Sequence, residues 1–188
     1  MPVPVVLLLV VASALAGMHL GPGVRASFVS ANTATTGTLS FAQLTGSFAT
    51  GTDDLGAAGG VGGATYAMTV TALALGTSTH RFTTLTNTGS VTASFTGSIS
   101  PTGATGTMNV AVDACSQAWA AGACGGTTTS LRTAVALSGT PSVTYGSLAV
   151  GGVKYLRYTF TSTSALASAV ATAAAVPTGT GTGNRTAG

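Results

Sequence analysis

The stretch His80–Ile99 limits what this chain can become more than any other. After Asn87-Thr88-Gly89, the residues Val91, Ala93, Phe95, Gly97 and Ile99 alternate with Thr92, Ser94, Thr96 and Ser98. A period of two sends one set to one face of a strand and the second set to the opposite face. The segment therefore reads as a half-buried β-strand with a hydroxyl-bearing outer side. The turn before it is chemically suited to its place: Asn hydrogen-bonds its own backbone, and Gly takes positive φ without steric cost. His80 to Leu85 reads as the preceding strand, joined to the next as a hairpin or a crossover.

The same grammar recurs along the chain. Leu39 and Phe41 alternate with Ser40 and Ala42. Tyr66, Met68, Val70 and Ala72 share a face, opposed by Thr65, Thr69 and Thr71. Leu73 and Leu75 then shift the phase, which predicts a bulge or a fully buried strand end. Met108, Val110 and Val112 alternate with Asn109, Ala111 and Asp113, and Leu131, Val135 and Leu137 mark another strand. Val143 with Tyr145 makes one short strand and Leu148 with Val150 another. In Val153–Ser162, Leu156, Tyr158 and Phe160 lie on one face and Val153 and Tyr155 on the other. A strand apolar on both faces suits the middle of a β-sandwich.

Other segments are less regular. Ala49–Ala64 is Gly-rich and reads as a loop, because glycine weakens regular structure. Ser164–Val176 is Ala-rich, either a short helix or a strand of small residues, and Pro177 ends it. Residues 177–188 read as a flexible Gly/Thr tail. Asn184-Arg185-Thr186 within it matches a glycosylation sequon.

Composition narrows the function classes. The chain has 188 residues, which predicts one domain, and only 5% of them are charged, against about 25% in ordinary soluble domains. Glu is absent, the acids are Asp53, Asp54 and Asp113, and the single Lys is Lys154. A β-rich surface so poor in charge is weakly protected against edge-to-edge pairing. That is a hazard for a monomer and a usable property in a subunit that polymerises. The net charge of +3 comes from scattered residues. A nucleic-acid partner needs a clustered basic face, so that class is set aside.

Val3–Leu20 is almost wholly apolar, and Gly21-Pro22-Gly23 interrupts it. Val24-Arg25-Ala26 then fits a small-x-small cleavage pattern, which predicts cleavage between Ala26 and Ser27. Met-Pro-Val-Pro at the start carries no Lys or Arg, unlike most export signals. The alternative is an uncleaved anchor, since about 18 apolar residues nearly span a bilayer. Residues 1–26 are thus a signal peptide or membrane anchor, and contact with a membrane is expected only through that leader. Residues 27–38 form a small, hydroxylated arm in which Phe28 and Val29 are the bulky residues, and 39–176 the β-sandwich domain.

Few side chains offer chemistry. Cys115 and Cys124 in an exported chain predict one disulfide, worth roughly 2–3 kcal/mol through loop closure. They lack the further ligands a zinc site needs and the Cys-x-x-Cys spacing of a redox pair. Trp119 lies between them, either covering the disulfide or exposed as a contact residue. Asp53 and Asp54 fall short of the six to eight oxygens that calcium takes and read as a solvated loop tip. His80 has no nucleophile motif or paired carboxylates around it and reads as a surface residue at a strand start. Tyr155 and Tyr158 flank Arg157 and could stack on sugars, although strand tyrosines more often belong to the core. No catalytic site, metal or cofactor is expected.

Taken together, these motifs resemble the TasA/camelysin-like secreted fibre proteins. The residues that carry the likeness are Phe28 after the leader, Gly37-Thr38-Leu39-Ser40, Leu75-Gly76-Thr77, His80-Arg81-Phe82, Leu85-Thr86-Asn87-Thr88-Gly89-Ser90 and Tyr155-Leu156-Arg157-Tyr158. The resemblance implies a jelly-roll or immunoglobulin-like antiparallel β-sandwich behind an N-terminal signal helix. It implies secretion to the extracellular matrix or cell surface and assembly into biofilm-matrix fibres. The partner is then the chain itself, with other matrix or cell-wall components around it. Ser27, Phe28 and Val29 would belong to a donor strand that completes a neighbouring subunit. The scarcity of acids and Lys and the Cys115–Cys124 loop depart from that pattern. Nothing in the chain supplies the metalloprotease chemistry assigned to some relatives. The runner-up reading is a monomeric adhesin or carbohydrate-binding module that uses the Gly-rich loop and Trp119.

Overall fold

Alternation becomes strands throughout. A computed structural model describes residues 43–179, apart from 55, 57, 103–106 and 166. In chain order the strands are β1 (Gly46–Phe48), β2 (Gly51–Asp53), β3 (Ala58–Val61), β4 (Thr65–Leu73), β5 (Ser78–Asn87), β6 (Ala93–Thr102), β7 (Met108–Cys115), β8 (Trp119–Ala120), β9 (Ala123–Cys124), β10 (Thr128–Ala136), β11 (Ser142–Leu148), β12 (Val153–Ser162) and β13 (Ala167–Thr178). The fold is all-β, and every pairing is antiparallel. The two short strands β8 and β9 pair with each other, and the other eleven form one sheet. Its order is β10-β7-β12-β5-β2-β3-β4-β13-β6-β11, with β1 also on β5. The end strands β10 and β11 come back beside each other, so the sheet curls into a nearly closed barrel. Among the described residues no ladder joins those two strands.

The expected leader, the cleavage point between Ala26 and Ser27, the arm with Phe28 and Val29, and the Leu39–Phe41 strand start lie outside the described residues. So does the tail beyond Gly179. The pairing yields a single continuous sheet, and a division into two stacked layers does not follow from it.

The interior is filled by the residues that alternation selects. Tyr66, Met68, Val70, Phe95, Ile99, Met108, Val110, Val112, Leu156, Tyr158 and Phe160 are at most 1% exposed. Phe48 packs on Tyr66 and Tyr145, each at 6.1 Å between ring centres, and Tyr66 lies 5.8 Å from Tyr158. The Tyr145 and Tyr158 hydroxyls hydrogen-bond to each other at 3.1 Å, which satisfies two polar groups deep in the core. Ala167, Ala169, Ala171 and Ala173 of β13 join this core, with Ala173 the cross-strand neighbour of Tyr66. Small side chains there leave room for the tyrosines. That explains why the Ala-rich segment is a strand. Its neighbours β4 and β6 pair with it on both sides, and those bonds outweigh the intrinsic helix preference of Ala.

Strand β5 and strand β6 do not pair with each other: β5 lies against β12 and β2, and β6 against β13 and β11. His80–Ile99 is therefore a crossover. Asn87 holds the corner. Its side-chain amide donates to the Val91 and Leu148 carbonyls, both at 2.9 Å, and its side-chain oxygen accepts from the Gly89 N–H at 2.9 Å.

The structure corrects several expectations. The Gly-rich segment 49–64 is no free loop: it contains β2 and β3, inserted between β5 and β4. Its glycines serve close approach, because a Cβ on Gly51 would fall 1.9 Å from the Tyr66 hydroxyl, and one on Gly60 would fall 2.5 Å from the Ala67 carbonyl oxygen. The residues Val143, Tyr145 and Leu148 belong to one strand rather than two. A bulge at Gly146 (φ 86°) lets Tyr145 and Leu148 both point inward despite their odd spacing, whereas Val150 lies past the strand and is exposed. The phase shift near Leu73 is a bulge, with Ala72 at φ 53° turned outward rather than sharing the inner face; Leu75 is 65% exposed. In β12 only one face is core, since Val153 is 44% exposed. Finally, Pro177 lies within β13, opposite Phe95. It is tolerated because β4 pairs with β13 only as far as Ala174, so only β6 flanks this end.

Candidate functional site

The residues with chemistry collect on the outer face of β2, β5, β12 and β7. Cross-strand register places Phe82 beside Arg157 and Arg157 beside Asp113, so three strands contribute one row. The Arg157 guanidinium donates to the Asp113 carboxylate at 2.8 Å. The Cys115–Cys124 disulfide is formed, with Cα atoms 5.7 Å apart. It folds the β8–β9 hairpin back over this row. Ala121 and Gly122, at φ 47° and 79°, make the hairpin turn, as positive φ at both central positions allows a tight two-residue connection.

Trp119 is thereby laid on the sheet. Its ring centre is 4.4 Å from the Arg157 guanidinium carbon and 5.7 Å from the centre of Phe82. The indole N–H donates to the Tyr155 carbonyl at 3.3 Å. Both sequence alternatives for Trp119 were too simple: it covers an ion pair and an aromatic ring, while keeping part of its surface in solvent. Attraction between a cation and an indole face is worth roughly 0.5–2 kcal/mol, and here it orients the lid. The Arg157 Nε is buried without a partner.

Next along β5, His80 stacks on Phe82 at 6.0 Å. Asp54, at the tip of the β2–β3 hairpin, accepts from the His80 backbone N–H at 2.8 Å, the His80 ring at 2.6 Å and the Thr79 hydroxyl at 3.0 Å. Partial burial pushes the Asp54 carboxyl up, but the bonds from His80 and Thr79 outweigh it and leave the group below its ordinary value. Asp54 is therefore a clamp between the hairpin and β5, at a tip that stays exposed to solvent. Among the described residues no group of three or more His, Cys, Asp or Glu is placed to hold a metal ion.

Two open clefts flank Trp119. One, of about 320 Å³, is lined by Thr52, Asp53, Asp54, Gly56, Phe82, Trp119, Ala121 and Gly122. The other, of about 160 Å³, is lined by Thr50, Thr52, Phe82, Thr83, Thr84, Ala118, Trp119 and Tyr155. They share Thr52, Phe82 and Trp119, so they are two halves of one trough.

A second feature is the open edge of β10. Among the described residues it pairs with β7 alone, and Leu131 and Val135 pack on the core while staying only partly buried. Arg132 is the sole charged residue in this strand.

Of the residues picked out in the sequence, the structure brings together Cys115, Cys124, Trp119, Tyr155 and Arg157. It separates Tyr158, whose hydroxyl is in the core; burial raises its pKa well above the usual phenol value. Thr52 was not singled out, and Phe82 only as part of the His80-Arg81-Phe82 motif, not as a site residue. Phe82 carries a weak signal, since it lies out of phase with Leu85 and so faces away from the core. Comparison of the chain with protein-family models, with curated proteins and with solved structures returns no match.

Proposed function

We propose that the chain is an exported structural protein that polymerises by strand addition, forming fibres in the extracellular matrix or at the cell surface. Residues 27–38 are the donated strand, with Phe28 and Val29 as its anchors, and the gap between β10 and β11 is the acceptor. The observation that carries this reading is the state of β10. Among the described residues its backbone is paired on one side only, its core-facing Leu131 and Val135 are half-covered, and little charge guards its edge. An edge of this kind is a template for another strand, and strand addition uses backbone bonds for affinity and alternate side chains for specificity. The disulfide supports export, since such bonds persist in oxidising compartments. The likeness to TasA/camelysin-like proteins points the same way, and with it a flattening of the barrel into a jelly-roll-like sandwich.

Electron microscopy of the secreted chain tests the proposal. Deleting residues 27–38 abolishes fibres and leaves a folded monomer. Thr133→Lys, at an exposed position on β10, does the same by putting a charge on the acceptor edge. Fibres of unchanged repeat from either variant defeat the strand-addition scheme.

A further inference from the structure

We infer that the trough around Trp119 is a binding site for a neutral oligosaccharide. This stands independently of the polymerisation proposal, because the trough lies on β2, β5 and β12 and the open edge on β10.

Three features select the ligand class. The first is charge. Of the ionic groups bordering the trough, Arg157 is paired with Asp113, Asp54 is hydrogen-bonded by His80 and Thr79, and Asp53 is a second carboxylate in the lining. Among the described residues neither cleft is lined by a Lys or Arg, so a polyanion is not favoured. The second is the surface on offer. Trp119 keeps part of its ring in solvent while resting on Phe82, which is buried beneath it, and Thr50, Thr52 and Thr84 line the cleft beside it. A pyranose has the complementary character: a C–H face that packs on an aromatic ring, and a rim of hydroxyls that exchange hydrogen bonds with threonine. The third is shape. The larger cleft reaches the lower end of the roughly 300–1,000 Å³ range of small-molecule sites. Yet it is open and continues past Trp119 into the second cleft. A trough open at the surface takes an extended chain of sugars better than a single one.

The site is also rigid. The disulfide fixes both ends of the Trp119 hairpin, the indole N–H is anchored on Tyr155, and Arg157 backs the ring. Rigid platforms bind with less entropy to lose. A fibre subunit with such a trough would bind matrix polysaccharide along its length.

Trp119 is the chain's single tryptophan, so its emission reads the site directly. The secreted chain is titrated with cellohexaose, mannohexaose and N-acetylated chitohexaose. The inference expects a saturable emission change with at least one of them. That oligomer binds about tenfold tighter than its disaccharide, as further sugar contacts with the threonines along the trough imply, and its affinity does not move with salt. Silence across all three overturns the inference. So does a response confined to polygalacturonate or to chitosan oligomers. Calorimetry on Thr52→Val and Thr84→Val, checked for folding by circular dichroism, expects affinity to fall several-fold; unchanged affinity in both overturns it as well. Trp119→Ala is expected to bind about tenfold more weakly or not at all.

Discussion

Replacing Gly51 by Ala adds one methyl group at the point where β2 crosses the core. Its carbon would lie 1.9 Å from the Tyr66 hydroxyl oxygen and 2.3 Å from the Phe82 carbonyl oxygen. Ordinary contact is about 3.5 Å, so the shortfall is more than 1 Å at both atoms. Neither neighbour can yield freely. The carbonyl belongs to the backbone of β5, and the Tyr66 hydroxyl is held by its own bond to that carbonyl at 3.2 Å, with the residue fully buried. Either β2 lifts off β5 or Tyr66 turns and leaves its hydroxyl unpaired. Overpacking of this kind costs roughly 1–3 kcal/mol, and an unsatisfied buried hydroxyl another 1–3 kcal/mol. The expected loss is roughly 2–6 kcal/mol, a large share of the roughly 5–15 kcal/mol that holds a domain together. Urea unfolding followed by circular dichroism and Trp119 emission measures it. Gly139→Ala is the control: no atom lies within 4 Å of its added carbon, and its φ is outside the left-handed region. It should be neutral or stabilising by up to about 1 kcal/mol through the unfolded chain. A loss below about 1 kcal/mol at Gly51, or equal losses at both glycines, refutes the close-packing argument.

Other perturbations follow from the same geometry. Changing Cys115 and Cys124 together to Ser should remove roughly 2–3 kcal/mol and shift Trp119 emission to the red as the lid frees; an unmoved spectrum would show that the sheet alone holds the ring. Burial pushes Tyr66 and Tyr145 up to about 12 and Tyr158 well above the ordinary phenol value, while the unfolded chain ionises near pH 10. Folded values above unfolded ones mean stability that is complete below pH 10 and lost as pH rises towards about 12. Tyrosinate absorbance from these three residues should then appear together with unfolding, and reversible ionisation of all three in the folded chain near pH 10 would contradict it. Asp54 is shifted the opposite way. Its contribution is present above the unfolded value of about 3.9 and disappears as pH falls through its lower folded value. Asp54→Asn should therefore be less stable than the parent at neutral pH and indistinguishable from it in strong acid, as judged by urea midpoints; a constant gap at every pH would remove Asp54 from the clamp.

Most strands were legible because a two-residue period is local. Phe95 and Ile99, Met108, Val110 and Val112, and Leu156, Tyr158 and Phe160 point inward as their spacing requires. The disulfide was legible from two cysteines in a chain whose sequence reads as exported. Three things were not. Gly51 and Gly60 resemble loop glycines in a string of letters, yet they are strand residues held by the bulk of Tyr66. The alanines of β13 favour a helix by themselves and become a strand only between β4 and β6. The Trp119 platform draws on residues far apart in the chain, Thr52, Phe82, Asp113 and Arg157, which only the strand order brings together.

The sequence by itself determined that this is an antiparallel β-protein with a hydroxylated surface, few charges and one stapled loop. Periodicity, composition and cysteine pairing depend on neighbours in the chain or on bulk chemistry, so no partner strand is needed to read them. Only the tertiary structure decided that β5 and β6 part company after Asn87, that the Gly-rich segment pairs between β5 and β4, and that Trp119 lies on Arg157 and Phe82. Those outcomes depend on which strands become neighbours. That choice is made by how side chains of different size fill one interior, a property of all the strands together.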